Sequence, residues 1–148
     1  MANMKTLPKR TNSLRLKGFD YSSENSYFVT INCKEDKTYF AENEVRVIIK
    51  NNIAKLNENV SLTVEGYVIM KNHLHLIVTI KTENRINLSR IIQSFKSLIA
   101  KEVREKVGIY DKIWQRGFYD HIIRNEKDYI EKMKYIINNP LKFELGRR

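Results

Sequence analysis

The segments read from the sequence run strand, helix, hairpin, helix, strand, helix. That order predicts a ferredoxin-like α+β sandwich: an antiparallel sheet with helices on one face, the other face left open for a ligand, and a further helix at the C-terminal end. Composition agrees with one such domain. The 148 residues suffice for a core of their own, and 42% are hydrophobic with 10% aromatic, which is globular rather than disordered. No internal repeat, low-complexity tract or interdomain linker interrupts residues 20–148.

The first strand is Tyr27-Phe-Val-Thr-Ile-Asn-Cys33, by its β-branched and aromatic content. From Ala41 to Leu56, Val45, Ile48, Ile49, Ile53 and Leu56 recur at helical spacing. Ser61 to Met70 and His73 to Ile80 read as two strands joined by Lys71-Asn72, a hairpin. A second helix, Leu88 to Val107, has an apolar stripe of Leu88, Ile91, Ile92, Phe95, Leu98, Ile99 and Val103, with Arg90, Lys96, Lys101, Arg104 and Lys106 on its other faces. Phe118 to Arg124 is the fourth strand. Asn125 is then expected to cap a last helix, with Asp128 as the reciprocal acceptor. That helix is expected to run from Glu126 to about Asn138 and to stop at Pro140.

Charge narrows the partners. Lys and Arg number 27 against 17 Asp and Glu, a net +10, which points to a polyanion such as nucleic acid. Residues 1–19 hold Lys5, Lys9, Arg10, Arg15 and Lys17 and no acid. They form a basic arm that either lies along a phosphate backbone or serves as a solubilising tail. One cysteine, Cys33, excludes an internal disulfide and a cysteine zinc cluster and fits a reducing compartment. No apolar run approaches the roughly 18 residues of a membrane span, and no secretory signal opens the chain, so a cytoplasmic protein is expected.

His73-Leu-His75 is the first candidate for chemistry. Side chains alternate along a strand, so Leu74, Leu76, Val78 and Ile80 belong to the core and both imidazoles to the open face, where two can meet one divalent ion. On the last helix, at about 100° per residue, Tyr129, Ile130, Met133, Ile136 and Ile137 form a core stripe about 120° wide, and Tyr135 lies roughly 160° from its centre. Asn139 shares the face of Tyr135. If that face swings over the open side of the sheet, a phenol, a carboxamide and two imidazoles converge: a hydroxyl nucleophile beside a three-ligand site. A phenol is a weak nucleophile at neutral pH and needs a polarised electrophile, such as a phosphodiester on Mg²⁺ or Mn²⁺. The N,N,O ligand set suits these ions with open water positions better than structural zinc.

Several segments carry a resemblance: Arg15-Leu-Lys-Gly-Phe-Asp-Tyr21, Tyr27-Phe-Val-Thr30, Asn72-His-Leu-His-Leu-Ile77, Gln93-Ser-Phe-Lys-Ser-Leu98, Ile113-Trp-Gln-Arg-Gly-Phe-Tyr-Asp-His121 and Tyr135-Ile-Ile-Asn-Asn-Pro-Leu-Lys142. Together they resemble the single-tyrosine HUH transposases, specifically the REP-associated tyrosine transposases of bacteria. The resemblance implies that His73 and His75 bind the metal, that Asn139 completes the site, and that Tyr135 forms a covalent 5′-phosphotyrosine with single-stranded DNA. It also implies cleavage beside imperfect palindromic hairpins, on a ferredoxin-like core. One departure is that the chain ends eight residues after Pro140, where many relatives continue, so tail contacts with DNA are expected to be missing, with Arg147 and Arg148 supplying some of that charge.

Other residues have weaker claims. Lys96 and Lys101 are the preferred backbone-tracking cations of the second helix, and Gln115 and Arg116 are expected at the DNA, alongside Lys9, Arg10, Arg15 and Lys17. His121 lies near the metal, binds a phosphate, or is structural. Trp114, Phe118 and Tyr119 either stack on bases or pack the core. Three functions remain: DNA cleavage and strand transfer through Tyr135, a hairpin-binding protein that has lost catalysis, and a phosphodiesterase using water. A monomer is favoured with a homodimer open, with no membrane partner and no small-molecule cofactor, and the protein is nucleoid-associated when bound to DNA.

Overall fold

A computed structural model describes residues 25–81 and 87–146. The basic arm, with Lys9, Arg10, Arg15 and Lys17, and the terminal Arg147 and Arg148 lie outside the described residues. The chain forms β1 (Asn25–Asn32), α1 (Asn43–Asn57), β2 (Leu62–Ile69), β3 (His73–Ile80), α2 (Leu88–Val107), β4 (Tyr119–Ile123) and α3 (Glu126–Gly146), with a short 3-10 turn at Tyr39–Ala41. All strand pairs are antiparallel, in the order β2-β3-β1-β4. This is the α+β architecture expected, with α1 and α2 on one face.

Alternation sorts the strands. Tyr27, Val29 and Ile31 of β1 and Leu74, Leu76, Val78 and Ile80 of β3 are buried in the main core with Val45, Ile49, Ile53, Ile92, Phe95 and Ile99 of the two helices. Each large apolar side chain buried this way contributes about 1.5–3 kcal/mol. Helix α2 has the expected bounds because both ends are chemically marked. Asn87 Oδ1 accepts from Ser89 N at 2.8 Å, and Gly108 closes the other end at φ 84°, a left-handed conformation that favours glycine. Leu98, expected in the stripe, is 49% exposed.

The open face is not wholly free, since α3 packs across part of it. Val68, Ile77, Ile123 and Ile136 form a second, smaller cluster there, joined by Phe28, Met70, Tyr129 and Met133. The approach is close at Gly66, beside a register shift in β2, where an added Cβ would stand 3.0 Å from Met133 Sδ.

Two expectations about α3 are corrected. The helix does not stop at Pro140 but continues to Gly146. Proline removes one backbone donor and disfavours, without forbidding, a helical residue before it. Asn139 Nδ2 supplies a local bond to Tyr135 O. The packing stripe is also rotated: Ile130 and Ile137 are exposed, whereas Asp128 is buried and Lys132 half-buried. The contact face of Asp128, Tyr129, Lys132, Met133 and Ile136 is turned by roughly 70° from the all-apolar stripe. The sheet below is mixed, apolar at Ile77 and Ile123 but polar at His75 and His121, so α3 meets it with mixed side chains.

Candidate active site on the open face of the sheet

Register determines which groups meet. Thr30 of β1 stands opposite His75 of β3, and Asn32 opposite His73; on the other edge of β1, Thr30 faces Tyr119 and Phe28 faces His121. The two imidazoles project from the same face with ring centroids 4.8 Å apart. His75 is buried, stacked on Phe28 at 5.0 Å and 20° between planes, and its Nδ1 lies 2.9 Å from Thr30 Oγ1. His73 Nδ1 lies 2.8 Å from Asn72 Oδ1. In both rings one nitrogen is held by an oxygen and Nε2 is the remaining donor atom.

Burial lowers the pKa of both histidines, for His75 to about 4, with the neighbouring His73 adding to the effect. Both imidazoles are therefore neutral near pH 7, the form that ligates metals. Helix α3 brings Tyr135 over this pair. Its hydroxyl lies 3.4 Å from His75 Nε2, and its ring meets His75 at 5.1 Å and Phe28 at 6.0 Å, both edge-on. Tyr135 sits at the margin of the packing face, not opposite it, and is 45% exposed. It is held at the sheet while leaving room for a substrate.

The residues suit a divalent ion at this point. Oxygen partners on Nδ1 hold the ring orientation and leave Nε2 for coordination. Among the described residues no group of three His, Cys, Asp or Glu could hold a metal ion. Asn139 donates through Nδ2 to Tyr135 O, which leaves its amide oxygen able to accept.

A family model of IS200-like transposases matches residues 22–139. The chain belongs to that family. Among its relatives, an uncharacterised protein of Haemophilus influenzae is 32% identical, with 89% of each chain covered. The REP-associated tyrosine transposase of Escherichia coli is 26% identical over 82% of this chain and 70% of its own. In fold, the chain is similar to a REP-associated tyrosine transposase solved bound to a REP hairpin: TM-score 0.68, 23% identity, 87% of this chain and 74% of that one covered.

The remaining expected site residues fall in different places. Lys96 is not a free surface cation: its ammonium donates to Gln115 O at 2.9 Å and Gly117 O at 2.8 Å and lies 5.8 Å from the Trp114 ring. Burial and nearby Lys112 pull its pKa to about 8. Lys101 is exposed on α2, Arg116 is exposed and Gln115 half-buried on the segment before β4. His121 lies 3.2 Å through Nε2 from Asp128 Oδ2, and Lys132 donates to Asp128 Oδ1 at 2.9 Å. The capping bond forms, Asp128 N to Asn125 Oδ1 at 2.8 Å, but the carboxylate serves His121 and Lys132 instead of returning it. Trp114 and Phe118 are buried in the main core, so packing holds them; Tyr119 is half-buried on the open face.

Sequence reasoning missed Phe28, Thr30 and Asn72, which stack on or bond the imidazoles. Phe28 and Thr30 sit two apart on a strand, so alternation put them on the open face, but only the pairing register places them beside His75.

Proposed function

We propose that this transposase cleaves and rejoins single-stranded DNA beside palindromic hairpins, with Tyr135 as nucleophile. The observation that carries this reading is the Tyr135 hydroxyl 3.4 Å from His75 Nε2, brought there from a helix 60 residues further along the chain. The phenol oxygen attacks phosphorus and gives up its proton. The bond to O3′ breaks, and that oxygen leaves as the 3′-hydroxyl of the other strand end. The ester conserves the energy of the broken bond, so attack by a new 3′-hydroxyl reverses the step and joins strands.

His73, His75 and the Asn139 amide oxygen are the ligands proposed for Mg²⁺ or Mn²⁺, which supplies Lewis-acid polarisation of a phosphodiester oxygen when bound. Thr30 and Asn72 orient the two imidazoles, and Phe28 walls the inner side of His75 from water. Lys101, Gln115 and Arg116, with Lys9, Arg10, Arg15 and Lys17 of the arm, are proposed DNA contacts. A cytoplasmic protein acting on chromosomal palindromes follows from the same reading.

The test uses labelled single-stranded oligonucleotides carrying the palindromes that flank the gene, incubated with Mn²⁺ or Mg²⁺ and run on a denaturing gel. An SDS-resistant, metal-dependent slow band, absent with Tyr135→Phe, is expected. Tight hairpin binding with no such band would favour a binding protein without catalysis. Cleavage that survives Tyr135→Phe would favour a hydrolytic phosphodiesterase.

A further inference from the structure

The apolar residues of α3 favour a rotation of the helix that turns Tyr135 away from the site. Tyr129, Ile130, Met133, Ile136 and Ile137 centre on one direction, and with that direction inward Tyr135 would point roughly 160° from the sheet. The helix is not docked that way. Ile130 is 44% and Ile137 64% exposed, while Asp128 is buried. Two isoleucines are left in water, so other contacts set the rotation.

Asp128, Lys132, Tyr135 and Asn139 form one row along α3, within about 60° of arc. The first two members of the row are tied to the sheet. Asp128 Oδ2 lies 3.2 Å from His121 Nε2 of β4, and Asp128 Oδ1 accepts from Lys132 Nζ at 2.9 Å. The Lys132 ammonium lies 5.9 Å from the centre of the Phe28 ring, the same ring that stacks on His75. Drawing this row onto β4 and β1 brings Tyr135 over His75 with it. A second anchor, Tyr129 donating to Glu65, holds the other flank of α3 to β2. Tyr129 lies within about 40° of the inward direction in either rotation, so its bond docks the helix without choosing between them. The bridge from Asp128 forms in only one. A buried carboxylate bridged in this way adds little stability over well-packed apolar groups, but it is satisfied in a single arrangement.

We propose that Asp128, through His121 and Lys132, is a positioning residue that sets the rotation of α3 and so aims Tyr135 at His75. The inference rests on the reading of Tyr135 as nucleophile. Asp128 orients the helix and has no part in the bond-breaking itself. Two isoleucines stay exposed because burying them would carry the nucleophile off the sheet.

The test pairs a kinetic readout with a geometric one. In single-turnover cleavage of a labelled hairpin strand with Mn²⁺, Asp128→Ala is expected to slow the rate at saturating DNA by about 100-fold, with the half-saturating concentration unchanged. Asp128→Asn, which keeps an acceptor of the same shape, is expected to retain most of the rate. Adding Ile130→Gln and Ile137→Gln to Asp128→Ala removes the competing stripe and is expected to restore much of it. Tyr129→Phe is expected to lower the unfolding midpoint and keep the rate. Geometry is read by maleimide labelling of Ile137→Cys, against the slow background of buried Cys33. Labelling is expected to slow severalfold when Asp128→Ala is added. His121→Ala removes the bridge from its half-exposed strand side and is read in the same way should Asp128→Ala fail to fold. Unchanged labelling in these variants, a rate loss that the two glutamines do not rescue, or an equal loss in Tyr129→Phe would each overturn the inference. The nucleophile reading fails separately, by absence of a covalent adduct in the unsubstituted protein, and the labelling then decides the rotation on its own.

Discussion

Acidification of the metal-free protein should destabilise it through His75 in particular. His75 is 6% exposed, stacked on Phe28 and bonded to Thr30, and burial, then His73, lowers its pKa from 6.5 to about 4. The unfolded chain takes up the proton first as pH falls, so the stabilisation is fully present above about 6.5 and is lost as pH falls toward 4. At pH near 4.5 the linkage amounts to about 2.5 kcal/mol. Urea unfolding in chelator at pH near 7.5 and near 4.5 measures it, with His75→Gln as the comparison. Glutamine keeps a polar group beside Thr30 and does not titrate. Carboxylates titrate in both proteins, so the difference between the two pH dependences isolates His75. Wild type is expected to lose about 2.5 kcal/mol more than the variant. Parallel losses would refute the reasoning that a buried, neutral imidazole lies at the centre of this site.

Three further outcomes are expected. Thr30→Val removes the oxygen on His75 Nδ1 at nearly constant volume and should weaken Mn²⁺ binding by roughly 10–100-fold in a titration followed by electron paramagnetic resonance. Lys96→Met keeps the apolar stem but loses both bonds to the Gln115 and Gly117 carbonyls. Because burying the ammonium offsets part of the gain, a loss of about 1–3 kcal/mol in urea unfolding is expected. Gly66→Ala places a methyl group 3.0 Å from Met133 Sδ, and since that side chain is flexible the cost should be about 1 kcal/mol, seen as faster amide hydrogen exchange in α3 than in α2.

Much of this architecture was legible because local signals and long-range pairing agreed. The apolar stripe from Leu88 to Val103 marked α2, and the alternation from His73 to Ile80 sorted core from open face. The face of α3 was not legible from periodicity. An all-apolar stripe assumes an apolar surface beneath the helix, and here that surface includes His75 and His121. Asp128 and Lys132 therefore turn inward, while Ile130 and Ile137 remain exposed. Tyr135 was singled out as opposite the core, yet it reaches His75 from the margin of the packing face. Lys96 looked like one more cation on a solvated helix, and nothing local reveals that a segment about 20 residues downstream folds its carbonyls onto it.

Mapping the covalent adduct tests the role of Tyr135 most directly. After incubation with a cleavable hairpin strand and Mn²⁺, the protein is digested with nuclease and trypsin and analysed by tandem mass spectrometry. A nucleotide mass is expected on the peptide spanning residues 135–142, localised to Tyr135. The same mass on Tyr129 or Tyr119, or strand cleavage with no adduct on any tyrosine, would contradict it.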